Sequence, residues 1–195
     1  ILPIVAYGHP VLRKECEDID AQYPELEKLI ADMWETLYHS NGVGLAAPQI
    51  NAPIRLFLVE SQQLADAAAE DPDEEPFVGE ALKEVFINAE IVSTGGTPWK
   101  FNEGCLSIPK VREDILRDET VTINYLDQNF KEHEKTFTGM TARIILHEYD
   151  HIEGVLFTDK ISMLKKTLIK KKLQNIMDGK AFPDYRMKFA NKKGR

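Results

Sequence analysis

Apolar residues in ELEKLIADMWETLYHS, residues 25–40, recur at helical spacing: Leu26, Leu29, Ile30, Met33, Trp34, Leu37 and Tyr38 share one face, and Asn41–Gly42 supplies a stop. The period then changes. IRLFLVE (54–60), VFINAEIV (85–92) and TVTINYLD (120–127) are short runs rich in β-branched and aromatic side chains and predict strands, with KTFTG (135–139) a weaker one. Between the first two, residues 61–84 are acidic and rich in small side chains, which predicts a surface insert that is a loop or partly disordered. Helical spacing returns over 141–153, free of Pro and Gly, where Thr141, Ile144, Ile145, Leu146, Tyr149 and Ile152 predict a buried helix ended by Gly154. A last helix is predicted around KKTLIKKKLQNIM, with Leu164, Leu168, Ile169, Leu173 and Ile176 as an apolar stripe among lysines. The opening ILPIVAYGHP carries neither a basic leader nor a small-residue cleavage site and reads as structure, not as a secretory signal. Helices toward both ends with strands between them predict a single α+β domain over 1–195.

Composition narrows the class without changing this picture. An apolar content of 43% and a charged content of 29% suit a soluble globular protein. No apolar run approaches the ~18 residues of a membrane helix, so a cytoplasmic protein without membrane association is expected. Two cysteines, Cys16 and Cys105, are too few for a disulfide framework and fit a reducing compartment, where a thiol is free to bind metal. The net charge of -8 is unevenly spread: residues 160–195 hold twelve Lys and Arg against two acids, Asp178 and Asp184, so a basic tail follows a strongly acidic body. That tail serves equally as a solvated helix face or as a contact for a polyanion such as RNA.

Candidate chemistry is concentrated in HEYDHIEG. On a helix, His147 and His151 lie four apart with Cβ atoms about 5–6 Å from each other, and can present two imidazoles to one ion. Glu148, offset by one residue, can reach a bound water without being a ligand, which is where a general base belongs. A buried helix carrying satisfied polar residues is the plainer alternative. The third ligand is not a downstream His, because Phe157 occupies that position, nor a downstream Glu, because none follows Glu153. It is an Asp or lies upstream, and upstream stands Cys105 in the turn-like NEGCLSIP, 102–109. A thiolate with two imidazoles leaves a fourth position open, as catalytic sites require. Cys16, in the charged RKECEDID, fits a small buried hydrophobe better. In GVGLAAPQ, 42–49, two glycines let backbone approach a ligand closely, and Gln49 offers an amide donor to a developing oxyanion; alone, the segment reads as an ordinary turn.

Together GVGLAAPQ, EGCLSIP and HEYDHIEG, in this order, resemble the peptide deformylase family, and the likeness extends back to HPVLRKECEDI near the start of the chain. The resemblance implies antiparallel or mixed β-sheets packed around a central metal-binding helix, with a C-terminal helix. It implies an Fe(II) ion, replaceable by Zn, Ni or Co, on Cys105, His147 and His151. A water on that metal is implied to attack the formyl carbon of an N-formyl-methionyl peptide and release formate. Glu148 takes the water's proton and passes it to the leaving nitrogen, while Gln49 and the Leu106 N–H help the metal hold the oxyanion. Gly44 lends main-chain contact, Val43 and Arg112 flank or bind the peptide, and Ile144 helps line the methionine pocket. Two features depart from the family: Arg143 stands where members often carry an apolar residue, and the insert at 61–84 is absent from shorter members. Bacterial members act on nascent chains and dock near the ribosomal exit tunnel through a C-terminal helical extension, here 160–195 with Lys165, Lys166, Lys170, Lys171 and Lys172; no DNA partner is implied. An endopeptidase using the same helix is disfavoured by Cys105 and the missing downstream Glu, and a noncatalytic metal-stabilised module has no use for Glu148.

Overall fold

The computed structural model describes residues 1–191 except 72, 74 and 75, so part of the acidic insert and the last four residues of the basic tail lie outside the described residues. In chain order the elements are β1 (Ile4–Val5), α1 (Leu26–His39), β2 (Gly44–Ala46), β3 (Leu56–Glu60), α2 (Gln62–Glu70), β4 (Lys83–Gly95), β5 (Trp99–Cys105) and β6 (Ile108–Arg117). Then come β7 (Thr120–Leu126), β8 (Glu132–Thr138), α3 (Gly139–Ile152), α4 (Met163–Met177) and β9 (Met187–Lys188). An antiparallel sheet of order β2-β3-β4-β7-β8 carries the fold; β5 and β6 form a separate hairpin, and β9 pairs in parallel with β1. The architecture is the expected α+β domain.

The sheet is covered on both faces. Along β3, Phe57 and Val59 join the cluster under α3 with Phe86, Ile123, Phe137 and Ile145, while Leu56 and Leu58 join Met33 and Leu37 of α1 on the other side. A strand buried on both faces needs a continuous apolar run, which is what IRLFLVE supplies. A third cluster, with Val5, Ile108, Ile115, Phe157, Ile169 and Ile176, joins the N-terminus, the hairpin and α4. α3 therefore lies between sheet and hairpin, with none of its residues exposed, and carries the turn from His147 to His151 to their junction.

Several expectations are corrected. The insert at 61–84 is not simply a loop, since it contains α2, a helix with no fully buried residue. The β5–β6 hairpin has no counterpart in the predicted strands, because its buried side holds the charged Glu103 and Arg117, which break the alternation. Of the expected stripe on α4, Ile169, Leu173 and Ile176 pack while Leu164 and Leu168 remain 71% and 70% exposed, so the stripe is narrower than predicted. α1 ends as expected, but Asn41 and not Gly42 takes the left-handed conformation, at φ 52°. A Cβ at Gly42 would lie 2.9 Å from a Leu37 methyl and 3.0 Å from one of Leu106, so those side chains would have to shift to admit it. Gly154 closes α3 at φ 71°, as the sequence predicts.

Candidate metal centre

β5 and α3 bring one thiol and two imidazoles together. His147 and His151, one turn apart on α3, have ring centroids 5.2 Å from each other, and Cys105 Sγ at the end of β5 lies 3.2 Å from His151 Nε2. One ligand atom from each of the three falls within 4.8 Å of the others. His147 Nδ1 is engaged by Glu103 Oε2 at 3.0 Å, which leaves Nε2 for an ion, and a sulfur with two nitrogens suits iron or zinc. Burial lowers the tendency of His147 to hold a proton, but Cys105 and Glu103 outweigh it and raise its pKa to about 10, whereas burial and then the charge of His147 push His151 well below the ordinary imidazole value. This donor set fits a divalent metal.

The other expected residues converge on the same place. A cavity of about 570 Å³ opens beside the cluster. Val43, Gly44 and Gln49 border it from the β2 segment, Leu106 and Arg112 from the hairpin, and Ile144 and Glu148 from α3, while His151 is buried behind. Gln49 is buried, with Oε1 accepting from Ala46 N–H at 2.8 Å; its amide nitrogen therefore faces Cys105 Sγ at 3.5 Å and Ser107 Oγ at 3.3 Å. Gly44 is glycine because a Cβ would run into the Glu148 carboxylate. Glu148 is 4% exposed, Oε2 has no hydrogen-bond partner among the described residues, and burial is the main cause lifting its pKa to about 7. Arg112 sits exposed at the rim, with Nε donating to Asn102 Oδ1 at 3.1 Å.

The sequence model of the polypeptide deformylase family matches residues 1–167, stopping within α4. The peptide deformylase of Flavobacterium psychrophilum is 56% identical over 193 residues, 99% of each chain. That of Salinibacter ruber is 42% identical over 95% of this chain and 93% of its own. A crystal structure of a peptide deformylase from Legionella pneumophila superposes with a TM-score of 0.75 at 35% identity, covering 92% of this chain and 97% of the other. This chain belongs to the polypeptide deformylase family.

In this deformylase the sequence reading missed the groups behind the cluster. Glu103, 4% exposed, accepts from Arg117 at 2.7 and 3.0 Å, from Arg143 at 2.6 Å and, through its other face, meets His147. Burial works against its charge, but the hydrogen bonds from His147 and Arg117 prevail and hold it well below the usual carboxylate range. Arg117 also reaches Asp150 at 2.8 Å, on the turn between the two histidines. Two signals were available: Glu103 lies two residues from Cys105 on one strand, and Arg143 lies four before His147 on one helix, so each shares a face with a ligand. Nothing local pointed to Arg117. Arg143, where family members often carry an apolar residue, is not an open charge in the cavity. Its guanidinium is turned onto Glu103 and the Trp99 and Ile115 carbonyls, and stacks 4.1 Å from the Trp99 ring. Cys16 is buried and its thiol is pushed up to about 11, chiefly by burial, as an inert packing residue should be. Among the described residues no helix is long and apolar enough to cross a membrane.

Proposed function

We propose that this deformylase removes the formyl group from N-formyl-methionyl nascent peptides and releases formate. Cys105, His147 and His151 would hold a divalent ion, Fe(II) first and Zn, Ni or Co as substitutes, which when bound activates water and polarises the formyl carbonyl. Glu148 takes a proton from the attacking water and hands it to the leaving nitrogen. An amide is a poor electrophile with a poor leaving group, so this shuttle and an oxyanion clamp are both needed. The clamp is the Gln49 amide, aimed by its bond to Ala46, with the Leu106 N–H. Val43, Gly44, Arg112 and Ile144 contact the peptide along the cavity. The observation that carries this reading is the buried Glu148 carboxylate with an unpartnered oxygen beside the Cys105, His147 and His151 cluster. A carboxylate so placed is expensive unless it handles protons.

Formate release from a formyl-Met tripeptide by Fe(II)-loaded protein tests it. Wild type turns over, Glu148→Gln keeps its metal and is inactive, and Cys105→Ser loses both. Gln49→Ala keeps the metal and loses about 2.7–4 kcal/mol of barrier lowering, read as kcat. Unchanged formyl peptide with metal bound rejects the reading and makes unformylated peptides the next substrates. Docking on the ribosome through Lys165, Lys166, Lys170, Lys171 and Lys172 belongs to the same proposal. It is supported by the basic surface of α4, although Lys165 and Lys166 are partly engaged by Glu113 at 2.8 Å and the Asp159 carbonyl at 3.0 Å.

A further inference from the structure

The turn that presents Cys105 and Leu106 is held from three directions. The Gln49 amide donates to Ser107 Oγ at 3.3 Å, the Tyr7 N–H donates to the Ser107 carbonyl at 2.8 Å, and the Tyr185 hydroxyl donates to the Leu106 carbonyl at 2.7 Å. The third restraint comes from beyond the part of the chain that the family match covers. After α4 the chain returns to the body. Ile4 N–H bonds the Arg186 carbonyl and Ala6 N–H the Lys188 carbonyl, both at 2.9 Å, and Met187 and Phe189 pack on the cluster that holds Val5 and Ile108. Tyr7 and Tyr185 are thus anchored on one small β1–β9 frame, and Pro183, Asp184 and Tyr185 form a wall of the reaction cavity.

We propose, resting on the deformylase reading above, that Tyr185 is a positioning residue for the reaction, holding the Leu106 backbone so that its N–H points at the developing oxyanion. Leu106 and Ser107 are the two-residue connection between β5 and β6, with a register shift at Gly104–Cys105, so the hairpin ladder does not by itself set their dihedrals. Pinning the Leu106 carbonyl restrains rotation of the Leu106 backbone and so the direction of its N–H. An oxyanion donor acts only when held in place beforehand, and a displacement of about 1 Å can cost about 10²-fold in rate. Tyr185 need not touch substrate to have this effect.

Tyr185→Phe removes one oxygen and keeps the ring, so it is the variant to test, as metal-loaded full-length protein. The expected result is a kcat about tenfold lower on the formyl-Met tripeptide, with KM within about twofold. The melting temperature and the visible absorption of the Co(II)-loaded protein should match wild type. A kcat within about twofold of wild type overturns the proposal. So does a loss of kcat that tracks a loss of bound Co(II) or of melting temperature, which assigns the hydroxyl to stability alone. A wild-type protein that releases no formate fails earlier, and rejects the reaction reading together with this inference.

Discussion

Glu103 is the residue behind the cluster of Cys105, His147 and His151. With Arg117, Arg143 and His147 all bonded to it, its folded-state pKa lies well below the ordinary 4.5. The folded protein therefore binds fewer protons there than the unfolded chain, and the stability this contributes is fully present above pH 4.5 and is lost as pH falls toward the folded value. Glu103→Gln leaves Arg143 without a carboxylate and Arg117 with Asp150 alone, and should cost about 3–5 kcal/mol. Its acid limb should also be flatter, and thermal melts from neutral to acid pH check both. At this scale Cys105, His147, Glu148 and His151 could be singled out as candidates because each side chain has few other uses at such spacing, and the fold brings them together. The partners were less so, since a carboxylate such as Glu103 looks like any surface acid until its arginines are seen.

At the scale of elements, a local period foretells a helix well but not how much of its face is covered. α1 and α3 match their apolar spacing to within a residue or two because a whole sheet face lies against each. α4 meets the body along one narrow line, so Ile169 is 5% exposed while Leu168, the next residue back, is 70% exposed. Ile169→Ala should then cost about 2–5 kcal/mol by leaving a cavity. Leu168→Gln should stay within about 0.5 kcal/mol of wild type. Urea unfolding of both variants checks the contrast. The β5–β6 hairpin escaped prediction because the side it buries carries two charges, Glu103 and Arg117, while Leu116 is exposed, and these interrupt the alternation.

For the whole molecule, both roles proposed for the C-terminal segment, ribosome docking and the hold on Leu106, would be lost together in a truncation. Removing residues 160–195 would take away both the basic face of α4 and the Tyr185 contact with the hairpin. Charge reversal separates them: Lys170→Glu, Lys171→Glu and Lys172→Glu together should weaken salt-dependent co-sedimentation with ribosomes while formate release from a tripeptide is unchanged. Co-sedimentation that survives the triple change, or that ignores salt, rejects docking through this helix. The order of residues alone determines α1, α3 and α4, the strongest sheet strands, the basic tail and the thiol, imidazole and carboxylate side chains available to a site. Helical and strand periods are written over a few residues, and thiol, imidazole and carboxylate chemistry belongs to each side chain. Folding decides which of these meet: that Cys105 closes on α3, that Glu103 sits between two arginines, and that Tyr185 returns to the Leu106 carbonyl. Those contacts depend on hairpin register and on where the chain comes back to the body, and distant segments leave no local mark of their pairing.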